Sequence, residues 1–229
     1  MEIWLKLKKE EIYMLRKILA LIYTIQFNFR YLPFHQAIYL PIKINYNVKS
    51  KLKRNNLIIK APVSRFMIRI GFQGSNFISY GSSSLTILNG GKIVFYGSCI
   101  FGEGVNLFVD GGTLIIGKSV YANRDFLFQC ENRSIIEDDV LIGWKVSVRD
   151  TDGHNVEKND GISSASERVW IKRGAWVASQ STILKGSVIS EYSIVGACSL
   201  VLGIKMSESH CMVAGTPAKV KRKNVTLMN

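Results

Sequence analysis

Residues 171–201 read IKRGAWVASQSTILKGSVISEYSIVGACSLV. Every sixth residue from the start of this run (Ile171, Val177, Ile183, Ile189, Val195 and Val201) is a β-branched aliphatic, without exception. Four residues after each of the first five anchors stands a small side chain: Ala175, Ser181, Ser187, Ser193 and Ser199. Helices repeat every 3.6 residues and strands every two, so a period of six belongs to neither alone. One large and one small inward residue per six describes a short flat strand followed by a tight corner. Repeated, that unit coils as a triangular prism, three strands to a turn, with the anchors of successive turns stacked into one continuous core. A series of β-hairpins would require period two and turn pairs such as Asn-Gly, and the run has neither.

The same register continues toward the N-terminus with short interruptions. Phe95, Phe101 and Leu107 form one set, Ile116, Ala122 and Phe128 a second, Ile136, Ile142 and Val148 a third. The steps between sets are nine residues (Leu107 to Ile116) and eight (Phe128 to Ile136), insertions that a corner can bulge to accept. Glycines and serines before Phe95 suggest further irregular turns beginning near Ile70. The large gap is the 23-residue step from Val148 to Ile171, which no strand-and-corner can hold. A loop leaves the prism there, and long loops on rigid scaffolds are where sites tend to lie. The organisation expected is a basic N-terminal helix and connector over 1–69, the prism over 70–222 with its loop at 149–170, and a tail over 223–229.

At 229 residues and 47% hydrophobic content, the chain can bury a sizeable core, which excludes disorder. The net charge of +13 is uneven: residues 1–70 hold 14 Lys/Arg against 3 acids, leaving 16 against 14 for the rest. Such a segment can serve nucleic acid, an anionic membrane surface or an acidic polymer, and charge alone does not choose. Basic and aromatic residues interleave at Phe27 to Tyr31, but no RNA- or DNA-binding motif accompanies them, so nucleic acid is not the expected partner. Cys99, Cys130, Cys198 and Cys211 form no CxxC pair and no small-domain framework; free thiols and a reducing compartment are expected. Met1 to Glu11 mixes charges with apolar residues and precedes no cleavage site, so a cytoplasmic protein is expected.

Residues from about Glu10 to Phe27 read as a helix centred on Ile18-Leu19-Ala20-Leu21-Ile22-Tyr23. About 20 apolar residues are needed to span a bilayer, which this run does not supply. Two uses remain: an interfacial helix giving peripheral contact with an anionic membrane, and a cap over the open end of the coil. Tyr31-Leu32-Pro33 and Leu40-Pro41 read as an irregular connector, and Ile42, Ile44, Tyr46 and Val48 alternate as a half-exposed strand would.

The loop opens with Asp150-Thr151-Asp152-Gly153-His154 and returns at Val169-Trp170-Ile171. With the hexads, the turn Val195-Gly196-Ala197-Cys198-Ser199 and the closing Ala214-Gly215-Thr216-Pro217-Ala218-Lys219, the chain resembles the hexapeptide-repeat acyltransferases, in particular their sugar and polysaccharide O-acetyltransferases. The resemblance covers most of residues 70–222. It implies an all-β fold, a left-handed parallel β-helix, and a homotrimer whose flat faces pair around a threefold axis with each coenzyme A between subunits.

It also implies roles. A loop histidine acts in the family as general base on the acceptor hydroxyl, which carries over to His154. An imidazole with an ordinary pKa of about 6.5 suits that work, since its neutral form can take the alcohol proton and return it to the departing thiolate. Asp150 or Asp152 either orients the imidazole or shapes the turn before Gly153. Trp170 either walls the thioester end of the cofactor or packs under the loop, and Trp144 is a candidate acceptor contact. The resemblance places the pantetheine arm at Arg173 and Ala197, with Ala178 and Ser179 leaving room, and the nucleotide at Lys219 and Arg222, with Lys205 a further candidate. Leu202-Gly203-Ile204 departs from the usual Thr-Lys after Val201. A metal site at Asp150-x-Asp152-x-His154 lacks further ligands, and no metal is expected. The expected function is acetyl-CoA-dependent O-acetylation of a sugar hydroxyl, of a capsular or other surface polysaccharide or its precursor. Rival readings are N-acetylation of a nucleotide-linked amino sugar and a non-catalytic β-helix scaffold.

Overall fold

The computed structural model describes residues 2–72, 74–75, 81–158 and 161–227. From Ile42 onward the chain winds as a three-sided prism whose first, second and third faces carry nine, seven and six strands among the described residues. One turn shows the pattern: Cys99–Phe101 on the first face, Asn106–Asp110 on the second and Thr113–Ile116 on the third. Each pairs in parallel with the strands one turn before and after it. The fold is the all-β, left-handed parallel β-helix.

The period-six register explains this winding residue by residue. All six anchors from Ile171 to Val201 are fully buried, as are the earlier sets from Phe95 to Val148. The residue before each small inward position turns the corner with positive φ: Gly174, Gln180, Gly186, Tyr192 and Cys198, all between 53° and 74°. The inward serines also bond across turns. Ser181 Oγ donates to Gly196 O at 2.8 Å, Ser193 Oγ accepts from Cys211 N at 3.0 Å and Ser199 Oγ from Gly215 N at 3.1 Å. A hydroxyl there fills the narrow corner and satisfies backbone groups that would otherwise be buried unpaired.

The stack also takes in Ile42–Ile44, Lys49–Lys51 and Leu57–Ile59, ahead of residue 70 where the glycine and serine pattern has it begin. Ile42, Ile44, Val48, Leu57 and Ile59 all point into the core. The second-face anchor here is the polar Ser50, nine residues before Ile59, which hides this first turn from a period-six reading of β-branched residues.

The N-terminal helix spans Glu2–Tyr31, longer than the expected Glu10 to Phe27. Neither glycine nor proline occurs before Pro33, so nothing stops the helix until the residues that precede it. Its Phe27 and Tyr31 pack on the first turn. Two buried polar side chains act as a strand partner for Ile42–Ile44. Asn28 Nδ2 donates to Ile42 O at 2.6 Å while its Oδ1 accepts from Ile42 N at 3.1 Å. Thr24 Oγ1 both donates to Ile44 O and accepts from Ile44 N, each at 3.1 Å. The open edge of the first face is thereby paired, which a prism end requires.

Asn28→Ala should therefore lower stability by about 1–3 kcal/mol for each backbone group of Ile42 it orphans, whereas Asn47→Ala, at an exposed site, should change it by less than about 0.5 kcal/mol. Urea unfolding followed by circular dichroism measures both.

Candidate active site

Three edges join the faces: the first edge between first and second faces, the second edge between second and third, and the third edge between third and first. The steps of nine and eight residues both fall on the second edge, and so does the long excursion. It leaves after Ser147–Arg149 on the second face and returns at Trp170–Ile171 on the third. Its outer part is the hairpin Val156–Lys158 with Gly161–Ser163.

The neck of the excursion is held from below. Asp150 is fully buried; its Oδ1 accepts from Glu131 N at 2.7 Å, and its Oδ2 from Ser134 Oγ at 2.8 Å and Asn132 N at 3.2 Å. Ser134 Oγ in turn accepts from Val169 N at 3.1 Å, tying the outgoing strand to the returning one. Thr151 pairs with Ser166 across the neck, Asp152 N donates to Ala165 O at 2.8 Å and Glu167 N to Asp150 O at 2.9 Å. Lys185, from the next turn, reaches up to Asp152 Oδ2 at 2.7 Å and Ser164 O at 2.6 Å. Asp150 and Asp152 are thus both engaged by the neck, and among the described residues neither hydrogen-bonds His154.

His154 follows Gly153, whose φ of +79° makes the turn and whose N–H donates to Thr151 Oγ1 at 2.9 Å. The imidazole is exposed on the excursion. Trp170 stands on the third face beside the loop's return. Its Nε1 donates to Glu137 Oε1 at 2.7 Å, and the Arg168 and Lys172 cations lie 4.8 and 5.0 Å from its ring. Lys205 pairs with Glu167 at 3.0 Å at the foot of the excursion.

The first edge carries a column of small residues. Gly143 N donates to Val177 O, Ala178 N to Val195 O, and Gly196 N to Val213 O, at 2.8 to 2.9 Å. Trp144, Ser179 and Ala197 stand one residue further round that corner. A Cβ on Gly143 would come within 2.6 Å of Ser179 N, so the turns at this edge stack closely. Adjacent turns lie about 4.8 Å apart, which makes the column from Gly143 to Ala214 about 15 Å long. At its end the backbone reverses through Gly215 and the cis Thr216–Pro217 bond into Ala218–Arg222, where Lys219 and Arg222 are exposed.

The expected site residues of one chain therefore separate. His154, Asp150, Asp152, Trp170 and Lys205 gather at the second edge and the third face next to it; Trp144, Ala178, Ser179 and Ala197 lie on the first edge. Arg173 lies on the third edge, where its guanidinium is 3.8 Å from Asp138 and its N–H donates to Glu137. Glu131, Ser134, Glu137 and Lys185 have no signature in the sequence, because each meets its partner through the stacking of turns.

No family model matches the chain. WbbJ of Escherichia coli (strain K12), described as an O-acetyl transferase of lipopolysaccharide biosynthesis, is 30% identical over 149 residues, 60% of this chain and 74% of its own length. A galactoside O-acetyltransferase of Lactococcus lactis is 29% identical over 115 residues, 49% of this chain and 54% of its own. The crystal structure of the polySia-specific acetyltransferase NeuO superposes with a TM-score of 0.58 at 21% identity, covering 82% of this chain and 79% of that one, which speaks for the fold alone.

The thiols report on the first edge. Cys99 and Cys130 are buried, and burial, joined for Cys130 by the nearby Asp150 carboxylate, pushes both thiols well above the ordinary range. They stay protonated, and so unreactive, across the neutral pH range. Cys211 is buried, whereas Cys198 is exposed beside Ala197. Maleimide at neutral pH should therefore modify Cys198 alone in the folded protein and all four cysteines in urea, as read by mass spectrometry; early labelling of Cys99 or Cys130 would contradict the packing.

Proposed function

On its likeness to WbbJ and on its fold, the chain belongs to the hexapeptide-repeat O-acetyltransferases and is an acyltransferase; we propose that it moves the acetyl group of acetyl-CoA to a sugar hydroxyl of a capsular or other surface polysaccharide, or of its precursor. The acetyl donor supplies an activated carbonyl and a thiolate leaving group. His154 takes the proton from the acceptor hydroxyl as its oxygen attacks the thioester carbonyl carbon, and gives that proton to sulfur when the C–S bond breaks. Asp150 and Lys185 act through the neck, fixing where His154 stands. The column at Ala178, Ser179 and Ala197 fits a thin pantetheine arm, Lys219 and Arg222 suit the nucleotide phosphates, and Trp144 lies on that same edge for the acceptor.

The observation that carries this reading is the division of the site between two edges. Outward residues of the first face form an apolar ladder in register: Ile100, Tyr121, Leu141, Trp176, Ile194 and Met212. The third face has another, from Ile58 and Val94 through Ile115 and Ile135 to Trp170 and Val188. The second face is more polar outward, its ladder running Lys49, Ser84, Asn106, Leu127, Ser147, Thr182 and Leu200. Packing the first face of one subunit on the third face of the next, around a threefold axis, covers both apolar ladders. It also brings the first edge of one chain against the second edge of its neighbour. His154 of one subunit then faces the small-residue column of another, so the homotrimer completes each site. The basic N-terminal helix belongs to the same reading as a peripheral contact with an anionic membrane; no helix among the described residues is long and apolar enough to cross one.

His154→Ala should lower kcat by about 10²- to 10⁴-fold with coenzyme A affinity nearly kept. Lys219→Ala and Arg222→Ala should raise KM for acetyl-CoA with kcat largely kept. Ala197→Trp should block the column, and it too should be inactive. Co-expressing His154→Ala with Ala197→Trp should restore activity in about a quarter of the sites, those in which a random trimer pairs an intact edge with an intact loop. Mixed trimers that remain inactive, or a monomer by light scattering, would overturn the shared site.

A further inference from the structure

Beneath the N-terminal helix, between it and the first turns of the prism, lies a cavity of about 560 Å³. Arg16, Lys17 and Lys43 line it with Tyr46, Phe66 and Phe72. The Lys43 ammonium lies 4.8 Å from the Phe72 ring centroid and 5.6 Å from that of Phe66. Glu103, the acid among its described lining residues, is neutralised by Arg124 at 2.6 Å. Among the described residues neither Arg16 nor Lys43 has an ion-pair partner. The cavity therefore holds uncompensated positive charge in an aromatic and amide surround, which suits a phosphate-sized anion.

The helix above it is apolar on the wrong side for a surface helix. Met14, Ile18, Leu21, Ile25 and Phe29 recur at helical spacing and are 40% to 62% exposed. They lie on a different side of the helix from Phe27, Asn28 and Tyr31, which face the prism; a helix packed on a core ordinarily turns polar residues outward here. The patch continues beyond the helix, because the Phe29 and Phe34 rings lie 6.0 Å apart and Phe34 is exposed. Leu21 belongs both to this face and to the cavity wall, so the apolar surface and the cationic cavity adjoin. A second copy of this chain is a poor cover for the patch, since each copy brings +11 in residues 1–70. An anionic lipid surface matches both the apolar face and the charge.

We propose that the helix lies in the surface of an anionic membrane with Ile18, Ile25 and Phe29 in the acyl boundary, and that the cavity takes the phosphate of one phospholipid headgroup. The second part rests on the membrane contact proposed above and assigns it a defined site. Flotation of the full chain with vesicles of phosphatidylcholine, alone or mixed with phosphatidylglycerol, tests both parts separately. Wild type should prefer the phosphatidylglycerol vesicles. Ile18→Ser with Ile25→Ser should lose binding to both kinds. Arg16→Gln with Lys43→Gln should lose the anionic preference, by about 5-fold per cation removed, while Lys221→Gln, an exposed cation at the far end of the chain, should lose less than about 2-fold. Circular dichroism should show the helix kept in each variant. If wild type floats with anionic vesicles but the Arg16 and Lys43 pair behaves like Lys221→Gln, the headgroup site is wrong and the membrane contact stands. If wild type does not float with them at all, the membrane contact is wrong, and the site with it.

Discussion

Every turn of this protein must return its anchors to a core one column wide. That constraint governs the rest. A residue larger than the column, or an insertion within a strand, would push apart the turns above and below it, whereas a corner can bulge outward without disturbing them. From Phe95 to Val201 the second edge absorbs every interruption of the register, from the extra residues after Val109 and Cys130 to the excursion that bears His154; before Phe95 the long steps Ile59 to Ile70 and Ile70 to Leu85 fall on the third and first edges. Over that same stretch from Phe95 to Val201 the first edge, where backbones stack as closely as Gly143 on Ser179, takes no extra residue. One packing rule thus sends the long loop to one edge and keeps a column of small residues at another.

A stack of parallel strands also has two ends, each with a row of unpaired backbone groups. The chain closes them differently. At the start, Asn28 and Thr24 offer amide and hydroxyl groups to Ile42 and Ile44 in place of a strand. At the finish the chain doubles back so that Ala218–Arg222 pairs antiparallel with Met212–Gly215. The second closure places Lys219 and Arg222 on the same face as the final turns of the first-edge column, so terminating the fold and presenting cations there are one structural event.

The coil was legible wherever each turn takes 18 residues, as from Ile171 to Val201, because inward positions then recur without insertions. It was illegible in the first turn, where the second-face anchor is the polar Ser50 and nine residues separate it from Ile59, so that only the stacking shows Leu57 and Ile59 to be inward. The excursion could be found as a gap in the register, and His154 within it by the family's pattern. The work of Asp150 could not be found in this way. Its partners Glu131, Asn132 and Ser134 lie 16 to 19 residues earlier in sequence and one turn below in space, a separation that depends on how many residues each corner has absorbed. Lys185 reaches Asp152 from the following turn for the same reason. Spacing along the chain identifies what points inward; what meets at an edge follows only from the winding.

In the trimer proposed above, the winding would also fix which way the three chains face. A threefold axis running along parallel prisms leaves all three chains pointing in the same direction, so their N-terminal helices emerge at one end and their Ala218–Arg222 strands at the other. Three amphipathic helices on one end can meet a single plane together, and contacts that are individually weak combine when they are linked on one rigid body. The sites at the edges, set along the sides of the prism below that plane, are then held close to the surface without being covered by it. An acceptor polymer lying along the membrane could pass the His154 loops from the side, so a peripheral helix and a lateral site are compatible in one assembly for a geometric reason.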